Sequence, residues 1–146
     1  ATPVSIATST TPFNIGVGDF NNDTNNDIIV TNNGATTVSV FRGYGNMTFL
    51  SLGTLATGTS PNGIAVGDFN NDGRLDFVIT NQGANTMGFF RGMGNLTFAT
   101  QVTFATGTTP TGIAAADFNS DSLMDVVVAN YASNNVGVFR GFGNGT

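Results

Sequence analysis

The sequence predicts an all-β fold of three tandem, four-stranded blades of the β-propeller type, each 49 residues long. The first observation behind this prediction is an internal repeat: Asp19, Asp68 and Asp117 open the same motif at intervals of 49 residues. A period of this size is typical of propeller blades or solenoid units. The second observation is composition. Glycine, asparagine and threonine are abundant while glutamate and lysine are absent, which favours strands joined by turns.

Each repeat contains four stretches that predict strands, in the same order three times. The first is VSIAT at residues 4–8, matched by GTLAT and VTFAT one and two periods later. After a turn with a proline, the second is NIGVGDF at 14–20. The third, DIIVTN at 27–32, is nearly continuous in apolar residues, as expected for a strand buried on both faces. The fourth is TVSVFRG at 37–43, which ends at a Gly-x-Gly-Asn turn.

We expect one domain, residues 1–146, made of repeats at 1–49, 50–98 and 99–146. A chain of 146 residues can bury a sizeable core. No apolar stretch approaches the ~20 residues of a membrane-spanning helix, and no signal peptide is recognisable at the start. A net charge of -5 with only four basic residues argues against nucleic acid as a partner.

The acidic residues are confined to three loops between the second and third predicted strands. Their pattern is D-x-N-x-D-x-x-x-D, and the nine acids are Asp19, Asp23, Asp27, Asp68, Asp72, Asp76, Asp117, Asp121 and Asp125. Positions 1, 3, 5 and 9 offer side-chain oxygens, and the backbone carbonyl at position 7 can complete a shell. Calcium takes six to eight such hard ligands, whereas magnesium prefers fewer protein ligands. Softer metals lack their ligands, since the chain has no Cys and no His. We therefore predict up to three Ca²⁺, one per repeat.

Two other interpretations of the loops fit the sequence less well. An EF-hand needs glutamate at position 12, where this chain has Val30, Ile79 and Val128, so it is rejected. Turns rich in Asn and Asp that bind no metal explain one such residue each, not nine in a fixed register. Position 6 favours a left-handed backbone, and glycine occupies it only in the middle loop. Thr24 makes the first loop the most strained of the three.

The stretch PNGIAVGDFNNDGRLDFVITN at 61–81, followed by FFRGMGNLTF at 89–98, resembles the FG-GAP/VCBS repeat of integrin α-chain propellers and many secreted microbial proteins. The resemblance covers the chain three times, although the FRGxGN turn matches the family only loosely. It implies calcium binding through positions 1, 3, 5 and 9 and the carbonyl of position 7. The implied side-chain ligands are Asp19, Asn21, Asp23, Asp27, Asp68, Asn70, Asp72, Asp76, Asp117, Asn119, Asp121 and Asp125, and the implied carbonyls are those of Asn25, Arg74 and Leu123.

Two other features repeat with the same period. N-x-T sequons occur at Asn46, Asn95 and Asn144, which are candidate glycosylation sites or simply turn residues. A fourth sequon, at Asn22, lies inside the metal loop. Arginines occur between a Phe and a Gly, where pairing with a loop or stacking on an aromatic ring is favoured over ligand recognition. They are Arg42, Arg91 and Arg140.

We expect no enzymatic activity, because His, Cys, Lys and Glu are absent and each Asp is assigned to metal. The function expected is a calcium-binding structural or adhesion module at an extracellular, secreted or cell-surface location. The alternative is a lectin-like propeller that binds glycans between blades. A glycan array would distinguish the two, and no aromatic cluster marks a sugar pocket.

Self-association is the expected mode of assembly. Closed propellers typically have four to eight blades, and this chain predicts three. The repeats match from start to end, so the face after the third blade should complement the face before the first. Such head-to-tail contacts close into rings or continue as filaments. The partners expected are therefore other copies of this chain or an extracellular protein; a longer parent chain is the alternative.

Overall fold

The computed structural model describes residues 3–145, and its regular secondary structure is antiparallel strand apart from one short 3-10 turn, which confirms the predicted all-β fold. The strands form successive sheets, one for each acidic loop. Sheet 1 contains, in spatial order, β1 (Pro12–Gly18), β2 (Asp27–Asn32), β3 (Thr37–Gly43) and β4 (Phe49–Ala56). A search of residues 3–145 for a helix long and apolar enough to cross a membrane finds none.

Sheet 2 repeats this order and includes a small hairpin after its third strand. Its strands are β5 (Pro61–Gly67), β6 (Asp76–Asn81), β7 (Thr86–Phe90) and β10 (Val102–Ala105), and the hairpin is β8 (Gly92–Gly94) with β9 (Thr97–Phe98). Within the described residues, sheet 3 has three strands. They are β11 (Pro110–Ala116), β12 (Asp125–Asn130) and β13 (Asn135–Phe139), with a 3-10 turn at Tyr131–Ser133.

The prediction of a strand at residues 4–8 is wrong, and the phase of the blades differs from that of the sequence repeat. Residues 4–8 lie in no strand. The matching segments are strands, but each is the outermost strand of the preceding sheet: Ala56 pairs with Thr37, and Ala105 pairs with Thr86. The reason is that the Gly-rich connection before each segment, a tight turn in sheet 1 and the β8–β9 hairpin in sheet 2, folds the chain back on the strand just completed. Each complete blade therefore runs from a proline turn to the next.

The sheets pack face to face, and apolar side chains from adjacent sheets form the core. Between sheets 1 and 2, Ile29 and Val38 pack against Phe77, Ile79 and Phe90, all buried. The rings of Phe77 and Phe90 stack with centroids 4.5 Å apart. Burying one such side chain contributes about 1.5–3 kcal/mol. The third stretch of each repeat, nearly continuous in apolar residues, forms an inner strand of its sheet. In sheet 2 this strand, β6, is buried on both faces, as its pattern predicts.

Hydroxyl groups add a specific link between adjacent sheets. The Thr31 hydroxyl donates to the Asn62 carbonyl at 2.7 Å, and Thr80 makes the same bond to the Thr111 carbonyl at 2.8 Å. Both threonines are fully buried, so each of these bonds satisfies a polar group that would otherwise be costly to bury. At the equivalent position in sheet 3, this chain has Ala129.

Candidate metal-binding loops

Each acidic loop connects the first strand of its sheet to the second. The first aspartate directly follows the first strand, and the ninth residue of the motif is the first residue of the second strand, as at Asp27, Asp76 and Asp125. The two strands are adjacent and antiparallel, with Gly18 paired to Asp27 in the first sheet. The sheet therefore holds both ends of each loop together before any ligand binds.

The ninth aspartate of each loop is buried and accepts hydrogen bonds from two distant backbone groups. In the middle loop, one oxygen of Asp76 accepts the Phe69 N–H at 3.0 Å and the other accepts the Gly92 N–H at 2.7 Å. The other two loops repeat both bonds. Their distances are 3.0 and 2.9 Å for Asp27, and 3.1 and 2.8 Å for Asp125. This residue joins the loop to the turn after the third strand, a role that the loop motif alone does not reveal.

Burial makes ionisation of this aspartate unfavourable. Desolvation raises the pKa of Asp76 to about 6 against the opposing effect of its two N–H bonds, and the nearby carboxylates of Asp72 and Asp68 raise it further. The pKa of Asp27 is raised by the same desolvation. A cation held by the loop would favour the ionised form of both groups, since an opposite charge nearby stabilises a carboxylate.

The aspartate at position 1 and the side chains at positions 3 and 5 turn their oxygens toward the backbone of their own loop. In the first loop, Asp19 accepts the N–H groups of Asp23 and Thr24 at 3.0 and 2.7 Å. Asn21 also accepts the Asp23 N–H, at 2.9 Å, and Asp23 accepts the Asn25 N–H at 3.0 Å. The middle and third loops make the same set of bonds. The three loops therefore share one conformation despite their different sequences.

This conformation places two residues of each loop in the left-handed region. The sequence predicts this for position 6, where φ is 70° at Thr24, 78° at Gly73 and 66° at Ser122. Position 4 is also left-handed, with φ of 58° at Asn22 in the first loop, and this was not predicted. Asn and Ser tolerate the conformation through local hydrogen bonds, whereas a β-branched residue is strained there.

Relief of this strain gives a first prediction. Thr24→Gly should stabilise the protein by about 1 kcal/mol, because a left-handed residue with a β-carbon costs roughly 1–2 kcal/mol and glycine offsets part of that gain through unfolded-chain entropy. The matched change Gly73→Thr should destabilise it by a similar amount, and strain rather than crowding would be the cause, since a Cβ there meets no atom within 4 Å. Thermal melts of both variants with chelator measure the effect. A shift of the same sign in both would contradict it.

In the outer two loops, an arginine from the end of the third strand binds the fifth residue of the motif. Arg42 donates to Asp23 at 2.9 Å, and Arg140 donates to Asp121 at 3.1 Å. The pKa of Asp23 is lowered, first by the hydrogen bond from the Asn25 N–H and then by Arg42. These pairs are partly exposed to solvent, so each contributes little to stability. The predicted pairing of arginine with a loop carboxylate is confirmed at these two positions.

The middle loop uses a different arginine. Arg74, at position 7 of the loop itself, approaches Asp72 at 3.6 Å. Arg91, the equivalent of the arginines above, instead donates to the sulfur of Met93 at 3.4 Å. The sequence carries the signal for this exchange, because Arg74 is the one arginine outside the 49-residue repeat.

The donor set fits a hard cation, but the three carboxylates of a loop are not gathered around one point. No group of three Asp, Glu, His or Cys side chains that could hold a metal ion is found within residues 3–145. The ninth carboxylate faces two backbone N–H groups, and the fifth faces an arginine in each loop. Each carboxylate oxygen has two lone pairs, so one N–H bond leaves a lone pair for a ligand. Oxygen-only donors match Ca²⁺ chemically.

The sequons lie in turns, and two of them are close to the first acidic loop: Asn22 is part of it, and Asn95 lines a groove together with Asn21 and Asp23. Asn46 is exposed in the turn between β3 and β4, and Asn95 is exposed in the β8–β9 hairpin. Asn144 lies near the end of the described residues. Asn22 sits inside the first loop in a left-handed conformation. Glycosylation at these positions stays a prediction.

A comparison with protein families agrees with the resemblance seen in the sequence. A model described as an FG-GAP-like repeat matches residues 19–79 and 68–128, overlapping segments that together contain all three acidic loops. A comparison with curated proteins gave no significant match. The family match spans well over half of the chain, at the same period as the loops and sheets. This chain belongs to the FG-GAP-like repeat family.

Proposed function

We propose that this protein is a calcium-stabilised structural or adhesion module that acts outside the cell and associates with copies of itself. FG-GAP repeats are typical of extracellular adhesion and binding modules. The observation that carries the calcium part of the proposal is the confinement of all nine acids to three loops of one conformation. Without a cation, three carboxylates in each loop repel one another.

In each loop, the proposed ligands are the side chains at positions 1, 3, 5 and 9 and the carbonyl at position 7. For the middle loop they are Asp68, Asn70, Asp72, Asp76 and the Arg74 carbonyl. Bound calcium would supply positive charge at the point where two strands meet. Three divalent ions would change the net charge from -5 to about +1. The chain's own contribution is the backbone hydrogen bonding that gives the three loops one conformation.

A binding role rather than catalysis is part of the proposal. The chain has no His, Cys, Lys or Glu to act as a general base or activated nucleophile. The nine aspartates are all engaged in the repeated loops, where they accept hydrogen bonds from backbone N–H groups or pair with arginine. The three loops share one conformation and one pattern of hydrogen bonds, whereas an active site usually breaks such a symmetry.

Exposed apolar side chains at both ends of the array support self-association. On sheet 1, Ile15 and Val17 are 59% and 53% exposed, and on sheet 3, Val136 and Val138 are 60% and 68% exposed. Contiguous exposed apolar surface marks contact sites in soluble proteins. Two chains joined head to tail at both junctions would form a six-bladed ring, and an interface that does not close would form a filament.

Light scattering of the 146-residue chain in calcium tests the association. We expect a dimer or larger particles at micromolar concentration, and a shift toward smaller species when EDTA is added, because loss of calcium leaves the carboxylates of each loop uncompensated and destabilises the sheet whose first two strands that loop joins. A Val138→Asp variant is the control, since it places a charge in the open face of sheet 3 and should remain monomeric. A wild-type protein that stays a 15.0 kDa monomer in calcium would contradict the proposal.

A further inference from the structure

Residues 4–7 have the sequence of an outermost strand but belong to no sheet. By the 49-residue repeat they are equivalent to the last four residues of β4, 53–56, and to β10. The residue that follows the segment makes the same local hydrogen bond as the residues that follow those strands. The Thr8 hydroxyl donates to the next carbonyl at 3.0 Å, and its equivalents Thr57 and Thr106 make the same bond at 2.9 Å.

The segment lies against the open face of sheet 1. Val4 and Ile6 line a groove there together with Ile28 and Val30. Leu55, the equivalent of Ile6, packs in the same way on the cluster between sheets 1 and 2, which contains the equivalents of Ile28 and Val30. The segment therefore occupies the position that the outermost strand of a preceding sheet would have.

Sheet 3 has an edge and a face that match this strand. Within residues 3–145, β13 pairs with β12 alone, whereas the equivalent strands β3 and β7 pair on both sides. Val136 and Val138 on β13 are largely exposed, while their equivalents in sheet 1, Val38 and Val40, are 0% and 3% exposed. An unpaired strand edge with apolar side chains is a template for pairing with another chain.

We infer that residues 4–7 of one molecule form the fourth strand of sheet 3 in a second copy. The inference rests on the self-association proposed above and specifies its contact. The register follows from sheet 2, in which β10 pairs with β7. In this register β7 corresponds to β13, 49 residues later, and β10 corresponds to residues 4–7, 98 residues earlier. The pairs between copies are then Ala7 with Asn135, Ile6 with Val136, Ser5 with Gly137 and Val4 with Val138.

The packing between copies would continue the interface that joins the sheets within one chain. Sheet 1 packs on sheet 2 through Phe20, Ile29, Val38 and Val40. The equivalents on the open face of sheet 3 are also all apolar: Phe118, Val127, Val136 and Val138. On sheet 1 the equivalents of Phe77, Ile79 and Phe90 are Ile28, Val30 and Phe41. They line the groove together with Val4 and Ile6, and Val30 and Phe41 are already buried there. This residue-by-residue match selects a second copy over an unrelated partner.

The departures from the repeat at the two ends are also matched. Thr31 and Thr80 bond to the backbone of the next sheet at Asn62 and Thr111. Sheet 3 has Ala129 in place of the threonine, and sheet 1 has Phe13, 61% exposed, at the position of Asn62. A polar link inside the chain is thus replaced by apolar residues on both sides of the junction between copies.

Cysteine cross-linking between two variants tests the register, because the natural chain has no cysteine. Ser5→Cys and an isotope-labelled Gly137→Cys are mixed in calcium under mild oxidation, and the mixed disulfide is quantified by mass spectrometry. Directly opposed residues are within disulfide range, whereas a diagonal neighbour at ~7–8 Å is not. Ser5→Cys mixed with Asn135→Cys is therefore the control. We expect several-fold more mixed disulfide in the first mixture.

Further arms separate this inference from the proposed function. Ser39 occupies the position of Gly137 in sheet 1, but a Cβ at Gly137 would lie 3.3 Å from Asn130 and from Phe139, so these side chains must shift slightly. Val4→Cys with Val138→Cys provides a second register pair if Gly137→Cys does not fold. Association by light scattering with no preference for either register pair would overturn strand donation and leave self-association standing. A wild-type monomer in calcium would overturn both.

Discussion

Removal of calcium with EDTA is expected to lower the melting temperature of this protein by more than about 10 °C. An ion that binds only the folded state stabilises it by about 2.7 kcal/mol at ~100-fold excess over its dissociation constant. Three such sites act on one small array of sheets, so their contributions add. Calcium restored in excess should recover the original melting curve, and the same concentration of magnesium should recover much less, since it takes fewer protein ligands.

The measurement is a thermal melt by circular dichroism, on protein whose metal content has been determined before and after chelation. Asp72→Ala provides the internal control, because the Asp72 side chain, within residues 3–145, bonds only with Arg74. It accepts the Arg74 N–H and forms an ion pair with the Arg74 guanidinium. Calcium should still raise the melting temperature of this variant, but by about one third less than in the wild type, because one of the three sites is lost. An identical melting curve for metal-free and calcium-loaded wild-type protein would contradict stabilisation of the fold by calcium.

Asp76→Ala is expected to destabilise the protein by about 2–5 kcal/mol even with no calcium present. The side chain is fully buried, and its two oxygens are the acceptors for the N–H groups of Phe69 and Gly92. Each buried donor left without an acceptor costs about 1–3 kcal/mol. Asp76→Asn keeps one acceptor oxygen and should lose about half as much.

Chemical denaturation in EDTA measures this effect apart from metal binding. The matched variant is again Asp72→Ala, for which we expect a change of less than about 1 kcal/mol in the absence of calcium, because its interactions are on the surface. The pair separates two roles within one loop, a structural ninth residue and an exposed fifth residue. Equal destabilisation of the two variants in EDTA would contradict this division.

Much of the fold follows from the sequence, because the repeat and the local patterns agree. The 49-residue period, the proline turns and the runs such as DFVITN predict the number of sheets and the central strand of each. The acidic motif predicts the loops and the left-handed residue at position 6. These features depend on residues close together in the chain, which is why the sequence is informative about them.

The features that the sequence does not reveal depend on contacts between distant residues. A repeat has no intrinsic starting point, so the sequence does not show that the segments equivalent to residues 4–8 pair with the strand that precedes them. The hydrogen bond from the Gly92 N–H to Asp76 joins residues 16 positions apart, and no local sequence pattern predicts it. Arg91 contacts Met93 while Arg74 contacts Asp72, and although Arg74 stands outside the repeat, the sequence alone does not show which arginine pairs with the loop.

We expect each of the three repeated loops to bind one calcium ion. Calorimetric titration of calcium into chelator-stripped protein tests it directly, with metal content checked by elemental analysis. The account predicts three ions bound per chain for the wild type, and two for a variant in which Asp68 and Asp72 are both changed to Ala. The absence of binding up to about 10 mM calcium, well above the dissociation constants of weak extracellular sites, would contradict it.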